Sequence, residues 1–133
     1  MEFFKEKNYD FKKAKEFFES HAKFTISPFE LKKIIDSGEI DEINIIDVRK
    51  YDDYIDGHIP FAQHVPIDEI EEHLNMFEKE KCNILYCYNE YCNLAHKIAT
   101  YTTEKNYPTR VLLGGIRTWR KYEYDTVKTS SDD

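Results

Sequence analysis

The chain has 133 residues, which corresponds to one domain. Its 41% hydrophobic and 15% aromatic content, with only four Gly and four Pro, excludes a collagen-like, low-complexity or wholly disordered chain. A net charge of −7 argues against nucleic-acid binding, which depends on Lys and Arg, and no apolar run approaches the roughly 20 residues that cross a bilayer.

The first half of the chain predicts a helix, a short strand and a second helix. Residues 10–22 place apolar side chains close to a 3.6-residue period, which is typical of an amphipathic helix. Residues 24–26 form a short strand candidate. Ser27 with Glu30 three residues later forms a capping box, and Pro occupies the first helical position. We expect this second helix to end at Gly38.

Three nearly continuous apolar runs are typical of strands covered on both faces: residues 43–48, 84–86 and 110–113. Helical patterns at residues 68–77 and 93–104 lie between them. Strands that alternate with helices predict βαβ units and a parallel sheet. Ligands of such sheets bind beyond the carboxyl ends of the strands.

The chain has three cysteines, Cys82, Cys87 and Cys92, and this odd, clustered set is unlike a secreted disulfide framework. No secretory signal is predicted, so we expect a cytoplasmic protein. Cys82 is interpreted as structural, and a zinc site is not expected because Cys82 and Cys87 flank a strand. His21, like the other surface histidines, is interpreted as incidental, and His96 as part of a solvated helix face.

Cys87 follows the predicted strand 84–86 and starts a loop that enters the helix 93–104. The unpaired N–H groups and the macrodipole at a helix N-terminus favour an anion. A thiolate in that field has a lowered pKa, and the thiolate is the reactive form of cysteine. Loop amides curled around the sulfur would form an anion-binding nest.

At this point the sequence resembles the rhodanese family. The resemblance rests on the residues IDVR at 46–49, GHIP at 57–60, Cys87 at a strand end, and GGIRTW at 114–119. It covers residues 25–122 and implies an α/β fold with a central parallel sheet of about five strands and helices on both faces. We expect a rhodanese-like domain at 24–127, preceded by a helical extension at 1–23 and followed by a disordered tail at 128–133.

The resemblance implies a sulfurtransferase that holds a persulfide on Cys87 and passes the sulfur to a thiophilic acceptor, without a metal or other cofactor. The backbone of the active-site loop would cradle the anion; this loop comprises Tyr88, Asn89, Glu90, Tyr91, Cys92 and Asn93. Asp47 and Arg49 are expected to brace the sheet end by an ion pair. His58 is interpreted as a hydrogen-bonded structural residue in the turn.

The loop departs from the pattern of many rhodaneses. Cys92 stands where many of them carry an Arg, and Phe61 replaces a Gly. The charge of Glu90 should repel thiosulfate. A protein-borne persulfide or a thiol compound, contacted by Tyr88 and Tyr91, is the expected donor. We do not expect phosphatase activity, because this loop lacks the Arg of the Cys-x5-Arg motif that clamps phosphoryl oxygens.

Two other functions stay open at this stage. The chain could be a non-catalytic rhodanese-like module that binds a protein partner through the same cleft. Alternatively, Cys87 and Cys92 could form a disulfide, because their spacing can bring the two Cα atoms within the roughly 4.4–6.8 Å that a disulfide requires. Cys92 would then act as a resolving thiol in a redox switch.

Overall fold

The computed structural model describes residues 7–129, and it contains one five-stranded parallel sheet. The strand order is β1-β5-β4-β2-β3. The strands are β1 (Thr25–Ile26), β2 (Ile43–Asp47), β3 (Gln63–His64), β4 (Cys82–Tyr86) and β5 (Thr109–Leu112). The predicted α/β fold and its parallel sheet are confirmed.

Five helices accompany the sheet: α1 (Phe11–Phe24), α2 (Pro28–Ser37), α3 (Tyr51–Asp56), α4 (Leu94–Glu104) and α5 (Gly115–Lys121). Shorter 3₁₀ turns occupy Ile40–Glu42, Ile67–Glu69 and Leu74–Met76. None of the helices between residues 7 and 129 has the length and apolar character needed to cross a membrane.

The sheet is buried on both faces because successive side chains of a strand point to opposite sides. On β4, Ile84 and Tyr86 join the core under α2 and α5, whereas Leu85 and the following residue, Cys87, join the core under α4. The continuous apolar runs of the central strands follow from this double burial. Cys87 therefore enters its loop from the α4 side of the sheet.

The capping signals of α2 are confirmed. The Ser27 hydroxyl accepts a hydrogen bond from the Glu30 amide at 3.1 Å, and Pro28 occupies the first turn. Gly38 closes the helix in the left-handed conformation, with φ of 82°. These local contacts fix where α2 starts and where the chain turns towards β2.

The predicted helix at residues 68–77 is wrong, since this segment forms 3₁₀ turns at Ile67–Glu69 and Leu74–Met76. Its acidic residues would sit three or four positions apart on a helix, and like charges at that spacing destabilise it. The short elements α3 and β3 were not predicted. Only six residues form α3, and its two early aspartates favour a helix N-terminus.

Helix α1 is confirmed, and the Asp10 carboxylate caps it by accepting a hydrogen bond from the Lys13 amide at 2.9 Å. No residue of α1 is buried, and Phe17 and Phe18 are mainly exposed. Within the described chain, the apolar face of α1 is therefore largely uncovered. The expected tail falls mostly on residues 130–133, outside the described residues, while the Thr129 amide donates to the Ile55 carbonyl.

Candidate active site

Cys87 lies directly beyond the carboxyl end of β4, at the position where ligands of parallel sheets bind. It is 3% exposed and lines a cleft of about 230 Å³. The opposite wall of this cleft is the β5–α5 turn at residues 113–115, and Cys92 and Ala95 also line it. The structure thus places one buried sulfur at the base of a small opening.

The start of α5 holds the first residues of the loop. The Ile116 and Arg117 amides donate to the carbonyls of Cys87 and Tyr88, both at 3.0 Å. Gly115 permits this approach: a Cβ atom at this position would lie 2.6 Å from the Cys87 carbonyl oxygen. Its φ of 59° is also in the left-handed region that favours glycine. The second glycine of the "GG" motif therefore allows the close contact between α5 and the Cys87 loop.

The sequence-based expectation of a lowered Cys87 pKa is wrong in this structure. Burial raises the pKa of Cys87 to about 11, and the neighbouring Cys92 adds to the rise. The backbone N–H groups of Ala95, in the first turn of α4, and of Tyr88 oppose the shift. The predicted helix-terminus field therefore acts on the sulfur, but removing the thiolate from water costs more.

Cys87 and Cys92 influence each other's ionisation. The Cys87 thiol donates to the Cys92 carbonyl oxygen at 3.4 Å. Burial disfavours ionisation of Cys92, but bonds from Cys87 and from the amides of Leu94 and Tyr88 outweigh it and lower the pKa of Cys92. The thiolate of this pair is therefore stabilised on Cys92. Both cysteines are free thiols.

The rest of the loop makes contacts of its own. Two of its amides are engaged internally, because Tyr91 donates to the Asn89 side chain at 2.8 Å and Cys92 donates to the Asn89 carbonyl at 3.1 Å. The amide of Tyr88 does act on the Cys87 sulfur. The backbone cradle is therefore narrower here than a ring of all loop amides from Tyr88 to Asn93.

The two tyrosines expected to contact a donor lie outside the lining of the cleft. The Tyr88 hydroxyl donates to Asp53 and accepts from the Lys50 amide, which holds the ring towards α3. Tyr91 is 84% exposed. Neither tyrosine lines the cleft, although Asn89 and Glu90 do.

A buried ion pair braces the neighbouring strand end. Asp47 and Arg49 meet at 2.8 Å, and their side chains are 0% and 3% exposed. The Tyr86 hydroxyl donates to Asp47 at 2.7 Å, and Arg49 donates to the Gly57 carbonyl at 2.6 Å. Tyr86, the residue directly before Cys87, is therefore linked to β2 through Asp47, and Arg49 links the same ion pair to the turn at Gly57. This arrangement is the brace that the sequence predicts.

His58 is buried within the turn after α3. Its ring nitrogen lies 3.0 Å from the Tyr54 carbonyl, and its ring stacks on Tyr54 with centroids 4.1 Å apart. Its backbone pairs with Val127 in an isolated bridge. The His64 ring also stacks on Tyr54, and its Nε2 atom is hydrogen-bonded to the Arg49 carbonyl. These contacts give His58 the structural position that the sequence predicts.

Two histidines that were not predicted to belong to the site line the cleft. His21 comes from α1 and His96 from α4, and both line the cleft around Cys87. Glu90 lies on the same lining, and no Lys or Arg is among the described residues there. His96 could have been placed by its position three residues after Asn93, but no sequence signal brings α1 to this site.

A family model for the rhodanese-like domain matches residues 27–122 of the chain. This stretch contains the braced strand end, the Cys87 loop and the α5 contact that define the site. The chain therefore belongs to the rhodanese-like domain family.

Its relatives differ in how much of their length the chain covers. Thiosulfate sulfurtransferase GlpE of Coxiella burnetii is 30% identical over 82 residues, which are 61% of this chain and 75% of GlpE. The HTH-type transcriptional regulator Rv0324 of Mycobacterium tuberculosis is 29% identical over 82 residues, or 62% of this chain, and the match spans only 36% of the regulator. The BH2092 protein of Bacillus halodurans superimposes with a TM-score of 0.82 at 29% identity, over 90% of this chain and 88% of that one.

Proposed function

We propose that this protein is a rhodanese-type sulfurtransferase that carries a sulfane sulfur on Cys87. The observation that carries the proposal is the buried Cys87 sulfur at the end of β4, facing a small cleft and contacted by the amides of Tyr88 and Ala95. A persulfide is anionic, and preorganised N–H donors stabilise such a charge without a metal. The relationship to GlpE, which is named a thiosulfate sulfurtransferase, supports the same chemistry.

Each half-reaction moves one sulfur atom. The Cys87 thiolate attacks the outer sulfur of a donor R–S–S⁻, forms a new S–S bond, and releases R–S⁻. A nucleophilic acceptor then takes that outer sulfur and regenerates the Cys87 thiolate, as cyanide does when it leaves as thiocyanate. Splitting one transfer into two displacements is the advantage of a covalent intermediate.

Cys92 supplies the base that the raised pKa of Cys87 requires. The Cys87 thiol donates to the Cys92 carbonyl oxygen, and the lowered pKa of Cys92 favours a thiolate beside it that can take up that proton as the donor is attacked. The resulting Cys87 thiolate keeps the amide contacts of Tyr88 and Ala95. Cys92 is thus a base for Cys87 in the position where many rhodaneses have an Arg.

The charge of the cleft favours donors other than thiosulfate. Glu90 lines the cleft, and the described lining holds no Lys or Arg to offset the two charges of thiosulfate. Glu90 repels a singly charged or protonated hydropersulfide less strongly than it repels thiosulfate. Such donors include both small molecules and persulfides carried on proteins.

Intact-protein mass spectrometry after exposure to thiosulfate or a hydropersulfide tests the proposal. We expect a gain of one sulfur atom that cyanide removes and that Cys87→Ser abolishes. Cys82→Ser is the matched control, since Cys82 is a free thiol at the opposite end of β4, roughly 17 Å from Cys87 along the strand. No uptake from any donor on reduced Cys87 would contradict the proposal and favour a binding module.

A second candidate function rests on the short approach of the Cys87 sulfur to Cys92, whose carbonyl oxygen lies 3.4 Å from it. Hydrogen peroxide converts the Cys92 thiolate into a sulfenic acid and releases hydroxide; the Cys87 thiol then displaces water to form a disulfide. Mild peroxide should therefore remove two hydrogens from the protein and protect both cysteines from alkylation. Persistence of two alkylatable thiols, or overoxidation of Cys92 instead, would exclude this switch.

A further inference from the structure

A groove runs between α1 and α4. It encloses about 670 Å³, which lies within the range of about 300–1,000 Å³ that ligand pockets occupy. Its walls include Phe17 and Phe24 from α1, Ala99 and Thr103 from α4, and Pro108 before β5. We call this surface the α1–α4 groove. Phe17 and Phe24 are both mainly exposed.

The α1–α4 groove and the Cys87 cleft share part of their lining. His21, His96 and Val111 belong to both. A molecule seated in the groove therefore reaches the opening over the Cys87 sulfur at these three residues. The cleft has about a third of the volume of the groove, so it suits a small reactive end and the groove suits a larger body.

The lining of the groove indicates the chemistry of that body. Most of it is apolar or carries only hydroxyl groups, and its ionisable residues include Glu104 and the two shared histidines. Neither Lys nor Arg is found among the described residues of the lining, so a phosphate-bearing or sulfate-bearing coenzyme has no strong partner here. A hydrocarbon body would instead remove the exposed rings of Phe17 and Phe24 from water.

We infer that the α1–α4 groove binds the apolar tail of a small hydropersulfide whose outer sulfur is transferred to Cys87. This inference rests on the proposed sulfurtransferase function and names its substrate class. In the loading step R–S–S⁻ and the Cys87 thiolate give R–S⁻ and the Cys87 persulfide, so no oxidant or reductant is consumed. Helix α1 then acts as one wall of the substrate site.

A chain-length series tests the inference. Initial rates of Cys87 persulfide formation are measured for n-alkyl hydropersulfides from ethyl to hexyl and divided by the rates of the same donors with free cysteine. Full burial of a methylene corresponds to a rate increase of about fourfold, so an open groove should give at least about twofold per methylene. Thr100→Trp, on the groove side of α4, should flatten this dependence.

Lys97→Trp is the matched control, because Lys97 is exposed on the same helix but does not line the groove. It should keep the wild-type dependence. Normal loading by ethyl hydropersulfide with less than about twofold change across the whole series would overturn the tail site and leave the proposed function intact. An unchanged dependence in Thr100→Trp would also overturn it. Failure of every donor to load Cys87 would overturn both.

Discussion

Gly115→Ala tests whether the close contact between α5 and the Cys87 loop adds to the ordinary free-energy cost of replacing a glycine that has a positive φ. The new Cβ would lie 2.6 Å from the Cys87 carbonyl oxygen, 2.9 Å from the Tyr88 carbonyl carbon and 3.0 Å from the Asn89 nitrogen. All three are backbone atoms, so relief requires α5 and the loop to move apart. The hydrogen bonds from Ile116 and Arg117 to the loop would then break.

The magnitude follows from two contributions. Alanine in the left-handed region costs about 1 kcal/mol, and each lost backbone hydrogen bond costs about 1 kcal/mol. We therefore expect Gly115→Ala to lower the free energy of unfolding by about 3 kcal/mol. Gly38→Ala is the matched control, because Gly38 has φ of 82° but no atom within 4 Å of the added Cβ; it should cost only about 1 kcal/mol.

Urea unfolding of both variants measures the two free energies, and sulfur loading of Cys87 measures the functional effect. Gly115→Ala should lose most of its loading rate under conditions where it is folded, whereas Gly38→Ala should keep the wild-type rate. Equal destabilisation of the two variants, with full loading in both, would refute the reasoning from the close approach.

Three further variants test the charge, the backbone strain and the distal core. Glu90→Gln should raise the loading rate from thiosulfate about three- to tenfold at low salt, with little change for an uncharged donor, because a cleft-lining negative charge is removed; equal effects on both donors in steady-state assays would contradict this. Phe61→Gly should raise the free energy of unfolding by about 0.5 kcal/mol, since Phe61 is exposed and has φ of 72°; a lower urea midpoint would refute it. Asn83→Ala should destabilise by about 3 kcal/mol, because its side chain bonds the Glu78 and Pro108 carbonyls and the Glu78 amide. Loading of Cys87 in folded Asn83→Ala should nevertheless match wild type.

The central fold was predictable because its signals are local and agree with one another. The runs at residues 43–48 and 84–86 could only be strands buried on both faces, and Ser27, Pro28 and Gly38 mark the ends of α2. The segment at 68–77 was predicted incorrectly because its apolar spacing fits a helix, while its repulsive charges do not.

The site was predictable only in part. The position of Cys87 follows from the end of β4, but its pKa depends on burial against Ala95 and Val111, which belong to other elements. The contribution of His21 to the cleft depends on how α1 packs beside α4, and nothing local in the sequence encodes that packing. Contacts between distant segments are the information that periodicity does not carry.

The backbone is held in place on both sides of the Cys87 sulfur. Tyr86 is fixed by its bond to Asp47, which also pairs with Arg49, so the strand end is rigid. The next residue, Cys87, is held through its carbonyl by α5, while its sulfur faces the cleft. The backbone is therefore anchored on both sides of a sulfur that must accept and release an atom. Such preorganisation places the cost of ordering in folding rather than in each turnover.

The pH dependence of Cys87 distinguishes a buried thiol from a helix-activated thiolate. In a Cys92→Ser variant burial still holds the pKa of Cys87 above its usual value, so alkylation of Cys87 should accelerate about tenfold per pH unit from pH 7 towards 9. The raised pKa also means that stability from the neutral thiol is present below its unfolded pKa, near 9, and is lost as pH rises towards 11. Cys87→Ser should remove this loss, which urea unfolding at pH 8 and pH 10.5 would show. A pH-independent alkylation rate above pH 7 would mean that the amides of Tyr88 and Ala95 outweigh burial, and the argument for Cys92 as the base would fail with it.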